Sequence, residues 1–213
     1  MLNPTPGDRA ANSTDTSLTD TCSVNPEDFF GQRVINYEPP WPGGGTHVDD
    51  FPCTSQAILA AGRDEWSNIV SSSAGDYAYS ERTQSWIGTV GISVVVVENY
   101  ALSRHLYRAY GEPDVDGQAE VVVDYDESGD QIGTHERGLS AQFMEEIFDR
   151  CETKLGLDPD DYRLNIHFDD DGLFSSCGYV EVGCADDCYI GNSLNNVMPG
   201  IPSESVLQSW LER

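Results

Sequence analysis

The sequence predicts an α+β domain: an antiparallel sheet of hairpins with one main amphipathic helix packed on one face. Three observations predict it: a Val-rich hairpin ending at Tyr110, an apolar stripe at helical spacing from Met144 to Leu155, and a second hairpin beginning near Leu164.

Tyr77-Ala78-Tyr79 opens the sheet. Ile92-Ser93-Val94-Val95-Val96-Val97 gives the first hairpin strand, Glu98-Asn99 its turn and Leu102 to Tyr110 its return, with a third strand from Ala119 to Tyr125. Asp126-Glu127-Ser128-Gly129-Asp130 then reads as a turn, because these residue types bond their own backbone or tolerate left-handed angles. Ser140 is expected to cap the helix that follows. In it Met144, Ile147, Phe148, Cys151 and Leu155 share one face, Lys154 sits in the last turn and Gly156 can cap the end. Leu164, Ile166 and Phe168 alternate with Asn165 and His167 as in a half-buried strand, and Asp169-Asp170-Asp171-Gly172 turns the chain back through Leu173 to Val182. Upstream, Ser55 to Ala61 and Asp64 to Val70 are expected as two short helices separated by Gly62, burying Ile58, Trp66 and Ile69. Downstream, Ser203 to Arg213 is expected to form a short helix with Val206, Leu207 and Trp210 facing inward.

These elements divide the chain into a flexible polar tail over residues 1–21, an irregular disulfide-tethered extension over 22–60, and the α+β domain over 61–213. The extension earns its description from Pro39-Pro40, Pro42 and Gly43-Gly44-Gly45, interspersed with Phe29, Phe30 and Trp41. The glycine run lacks the Lys-Ser/Thr of a phosphate loop and reads as a turn.

Against 37 acidic residues stand 11 basic ones, giving a formal charge of -26, and Lys154 is the only lysine. Such a field repels phosphate backbones and anionic lipid, so nucleic acid and membrane surfaces are disfavoured as partners and no membrane insertion is expected. The acid excess fits either a cationic partner or a surface kept soluble in a salty medium. No apolar run approaches the roughly 18 residues of a membrane span.

Six cysteines, Cys22, Cys53, Cys151, Cys177, Cys184 and Cys188, make an even number, as three disulfides of an exported protein would. Residues 1–21 contain no apolar stretch of the roughly 7 to 15 residues that a secretion signal uses, so the start reads as a processed or truncated form or a cytosolic terminus. Proximity in the expected fold favours pairing Cys22 with Cys53, Cys151 with Cys177 and Cys184 with Cys188. The rival is zinc on Cys177, Cys184 and Cys188 with Cys151 or His167 as fourth ligand, though no Cys-x2-Cys knuckle is present.

The order of motifs resembles a family of secreted, often lipoprotein-anchored bacterial domains of unknown function. The resemblance rests on Trp66, Tyr77 and Tyr79, Val94 and Val96, Gly111-Glu112-Pro113, Phe168-Asp169, Gly178-Tyr179 and Asp186-Asp187, and covers about residues 60–197. Val180 stands where that family carries a proline, and the cysteines from 151 to 188 are placed differently. The resemblance implies an exported α+β module, which favours disulfides, and it transfers no catalytic residue.

Asp124, Asp126, Ser128 and Asp130 carry the alternating oxygen ligands of a calcium loop, with Gly129 at its sharp turn, but the twelfth position is His135 and Glu136 comes one residue late. A plain acidic turn is the competing reading. Asp169, Asp170 and Asp171 read as solvated. Asp186 and Asp187, between Cys184 and Cys188, would be presented outward by a short disulfide loop and could receive a protein partner or a cationic ligand. His47, His105, His135 and His167 are scattered, and no nucleophile elbow, His-Glu-x-x-His or dinucleotide glycine pattern occurs. The expectation is therefore an exported, disulfide-stabilised, non-enzymatic module that binds a protein or ligand. The alternatives are a calcium-stabilised structural module and a hydrolase whose residues converge only in space.

Overall fold

Burial on both faces explains the valine run. In the computed structural model, which describes residues 24–37, 44–85, 88–184 and 188–212, the strand Val90–Glu98 is buried at every position but the last. It lies within a nine-stranded sheet built from β1 (Arg33–Ile35), β2 (Thr46–His47), β3 (Tyr77–Gln84), β4 (Val90–Glu98), β5 (Ala101–Tyr110), β6 (Val121–Ser128), β7 (Tyr162–Phe168), β8 (Phe174–Glu181) and β9 (Ile190–Pro199). Their spatial order is β2-β1-β7-β8-β9-β3-β4-β5-β6, and every pairing is antiparallel except β1 with β2.

Three helices clothe this sheet: α1 (Phe51–Ser72), α2 (Met144–Leu155) and α3 (Glu204–Trp210). One face packs Tyr77, Tyr79, Val95, Val97, Leu164 and Ile166 against α1 and α2. On the other, Val94, Val96 and Leu106 meet Leu207 of α3 and Leu211 just beyond it. The period-two alternation of β4 thus feeds two cores. The α+β class and the antiparallel hairpins stand as expected, while α2, expected as the main helix, shares its face of the sheet with the longer α1.

Several local expectations are corrected. The segment 22–60, expected to be irregular, contributes β1, β2 and the first half of α1, and β1 pairs with β7 inside the sheet. The tail over 1–21 lies outside the described residues. The two short helices are one continuous helix through Gly62, begun by the Asp50 side chain accepting the Cys53 N–H at 3.2 Å. Gly62 is not a breaker but a contact: a Cβ there would lie 2.1 Å from the Phe168 ring. Helix α2 starts at Met144 rather than just after Ser140. Sheet tyrosines fix its start, since Tyr79 Oη donates to the Gln142 carbonyl at 2.7 Å and Tyr77 Oη accepts the Met144 N–H at 3.2 Å. All five residues of the expected helix stripe are buried.

Cys151 of α2 bonds Cys177 of β8, with S–S 2.06 Å and Cα–Cα 5.7 Å, and Cys184 bonds Cys188. These pairings remove the thiolates that a zinc site would need, so the zinc alternative fails. Cys53 is disulfide-bonded too, and its expected partner Cys22 lies outside the described residues. Closing the 26-residue separation between Cys151 and Cys177 contributes about 3 kcal/mol on the chain-entropy view. No helix among the described residues is long and apolar enough to cross a membrane.

Candidate functional site

The helical face of the sheet is apolar where α1 and α2 cover it and polar beyond them. Register explains the change: Glu81 on β3 stands opposite Ser93 on β4, and His105 on β5 opposite Glu127 on β6, all at inward positions. Each of these four side chains is buried. With Asn192 of β9 and Lys154 of α2 they make a polar band across five strands. Charges and amides at such depth are costly unless partnered, so the partners define what the band can do.

At one end, Lys154 Nζ donates to Asn192 Oδ1 at 2.7 Å, and Asn192 Nδ2 donates to Glu81 Oε1 at 2.9 Å. Burial pushes the Glu81 carboxyl above its ordinary value, only partly offset by the Asn192 hydrogen bond and the positive charges of Lys154 and Arg150. Burial lowers the Lys154 ammonium, against the pull of Glu81. Both shifts share one cause, the removal of a charged group from water. Asn192 therefore joins an acid and a base that are each biased toward neutrality.

These groups line a cleft of about 410 Å³, with Arg150 at its α2 side and Gln142 on the approach to that helix. A neighbouring cleft of about 430 Å³ shares Thr83, but none of the residues lining it is charged. Of these two clefts, the smaller is the one lined by charged groups. Its two hydroxyls are not poised as nucleophiles: Thr83 Oγ1 donates to the Gly91 carbonyl at 3.4 Å, and Ser140 Oγ accepts from Gln142 Nε2 at 3.3 Å.

At the other end Ser93 Oγ lies 2.9 Å from His105 Nε2. His105 Nδ1 has no hydrogen-bond partner and sits 3.8 Å from Glu127 Oε2, an electrostatic contact rather than a bond. Burial lowers the imidazole below its usual value, with Glu127 opposing. Glu127 is occupied elsewhere. Its carboxylate accepts from the Gly133 N–H at 2.7 Å, Thr134 Oγ1 at 3.0 Å, the His135 N–H at 3.0 Å and His135 Nδ1 at 2.6 Å. Burial alone would raise this carboxyl, but those four bonds hold it at about 2. The segment after β6 is thereby clamped onto the sheet, with His135 stacked on Tyr125 at 4.0 Å between ring centres. Gly138 continues the cover, close enough that a Cβ would meet Tyr107 at 2.9 Å and Tyr125 Oη at 2.8 Å.

The residues expected to hold calcium are arranged otherwise. Asp124 and Asp126 do share a face, but Asp124 is bonded to Arg108 at 3.2 and 3.0 Å, and Asp126 to Arg104 at 2.8 and 2.6 Å. Ser128 ends β6 instead of forming a turn, and Asp130 lies in a short 3-10 turn over Gly129–Gln131. Among the described residues no group of three or more His, Cys, Asp or Glu is placed to hold a metal ion. Asp186 and Asp187 lie outside the described residues. Asp169 folds back on its own turn, its Oδ1 accepting the N–H of Asp171 at 3.0 Å and of Leu173 at 2.8 Å.

Sequence reasoning placed Lys154 only as a helix-end charge and missed Glu81, Ser93, His105, Glu127 and Asn192 as a group. The usable signal was Ser93, a polar residue interrupting an otherwise apolar strand.

Comparison with known proteins finds no match: no family model, no curated protein and no solved structure aligns with this chain.

Proposed function

We propose that the protein is an extracytoplasmic, disulfide-stabilised domain that binds a small polar ligand in the cleft between α2 and strands β3 and β9. The Lys154-Asn192-Glu81 chain in the cleft wall carries this reading. Titratable groups driven from their ordinary values and lining a concave surface mark functional sites. With no base-activated nucleophile among the described residues that line it, binding rather than catalysis is the role that fits. The disulfides support an oxidising compartment. Thermal melts across small carboxylates, amines, amino acids and sugars, with Asn192→Leu as control, test the cleft. Compounds that raise the melting temperature of the wild type and not of the variant support it, and a flat panel argues against it. Intact mass before and after reduction and alkylation tests export: alkylation of all six cysteines only after reduction is expected.

One observation favours a second reading, an acyl-transfer hydrolase: the 2.9 Å contact of Ser93 Oγ with His105 Nε2. Ser93 and His105 are each only 1% exposed, so a substrate would have to wait for the segment clamped by Glu127 to lift. Covalent labelling of Ser93 by a fluorophosphonate probe, absent in His105→Ala, is the outcome that would place this reading first.

A further inference from the structure

The groups in the cleft are of two kinds, and each kind lacks a hydrogen-bonded partner of the charge it would attract. The Arg150 side chain is exposed and makes no hydrogen bond or ion pair among the described residues, in a chain with a formal charge of -26. Lys154, beside it, donates only to the neutral Asn192 amide. Neither cation donates a hydrogen bond to an anion among the described residues. Gln142 Oε1 is buried without any partner although its residue is 7% exposed, and the Glu81 carboxyl, 5% exposed, receives a single bond from Asn192. Neither acceptor receives a hydrogen bond from a cation, although the charges of Lys154 and Arg150 are felt at Glu81. An orphaned buried acceptor is a standing cost, removed when a donor enters.

We propose, building on the cleft reading above, that the ligand is a zwitterion of the α-amino acid class, its carboxylate on Arg150 and Lys154 and its ammonium on Glu81 and Gln142 Oε1. Arginine suits the carboxylate because its planar fork matches the two oxygens. The arrangement also excludes simpler ligands. A phosphate or dicarboxylate would bring surplus negative charge against Glu81, and a plain amine would meet Arg150 and Lys154 with nothing to offer them. An arriving ammonium would reverse the penalty that burial imposes on the charged Glu81. At about 410 Å³ the cleft leaves room for a side chain, with Leu139 and Ile190 as apolar wall and Thr83 as a polar one.

The test is calorimetric titration of the full chain with each of the common L-amino acids, and with propionate and ethylamine as the two halves of alanine. At least one amino acid is expected to bind, and each half-molecule to bind on the order of tenfold more weakly, the loss of one charge-assisted contact. Glu81→Gln is expected to weaken the amino acid by a similar factor but not to weaken propionate, since it removes a negative charge beside the carboxylate site, and Arg150→Gln to weaken amino acid and propionate together. Propionate binding as tightly as any amino acid would overturn the zwitterion and leave the cleft as an anion site. No heat with any amino acid, propionate or ethylamine, or binding indifferent to both variants, would overturn the zwitterion, and a melt panel that is flat for sugars as well would overturn the cleft reading with it.

Discussion

Asn192 donates to Glu81 at 2.9 Å across 111 residues of sequence, and the same amide accepts from Lys154 through its oxygen. This pairing fixes the amide's orientation, because only one placement of O and N serves both neighbours. Replacing Asn192 by Leu would leave a buried carboxyl and a half-buried ammonium without partners. A loss of roughly 1 to 3 kcal/mol is expected in urea denaturation, the cost of an unmet buried polar group. A variant as stable as the wild type would show that water serves both groups equally well.

Glu127 and Glu81 should contribute to stability with opposite pH dependence. Glu127 is held at about 2, below its ordinary 4.5, so its contribution is complete above the ordinary value and lost as pH falls through about 2. Glu81 is shifted upward by burial, so its contribution is complete below the ordinary 4.5 and lost as pH rises through the folded value. Denaturation at a series of pH values is expected to show the deficit of Glu127→Gln shrinking on acidification. Glu81→Gln should gain on the wild type as pH rises. Parallel pH curves for wild type and both variants would contradict these assignments.

Gly62 offers a sign test. By helix propensity, Gly62→Ala in the middle of α1 should stabilise by about 1 kcal/mol. The added Cβ would however lie 2.1 Å from Cε1 of Phe168, an aromatic ring packed with Phe148 and Phe174. Overpacking costs typically about 1 to 3 kcal/mol, so net destabilisation is expected by chemical denaturation. Net stabilisation would mean that the ring yields freely.

Excess chelator is expected to leave the melting temperature unchanged. Calcium at Asp124 and Asp126 would have to displace Arg108 and Arg104, the latter also bonded to Glu204 at 2.5 Å. A drop in melting temperature on chelation, restored by calcium, would show that those arginines give way.

Much of the fold was legible because it is written in local periodicity. The stripe Met144, Ile147, Phe148, Cys151 and Leu155 is buried as its spacing requires, and the turn from Asp169 to Gly172 closes as its composition predicts. What periodicity could not carry was decided across the sheet. Gly62 reads as a breaker until Phe168 is placed against it, and Ser140 reads as a cap until Tyr77 and Tyr79 set the start of α2. The candidate site was illegible for the same reason. Glu81, Lys154 and Asn192 meet only through the pairing of β9 with β3, the first and last of them 111 residues apart. Asp124 and Asp126 were legible as a ligand pattern, but Arg104 and Arg108, on the neighbouring strand, take those carboxylates.

Lys154 allows the most direct measurement, because it is the only lysine in the chain. Trinitrobenzenesulfonate modification followed by peptide mapping reports on this one side chain, with a lysine-bearing reference peptide in the same reaction to correct for reagent that a free amino acid consumes. If the cleft binds amino acids, a ligand that raises the melting temperature should slow modification of Lys154 relative to that of the reference peptide. Equal rates at Lys154 with and without such a ligand would contradict the account, placing the ligand elsewhere on the protein.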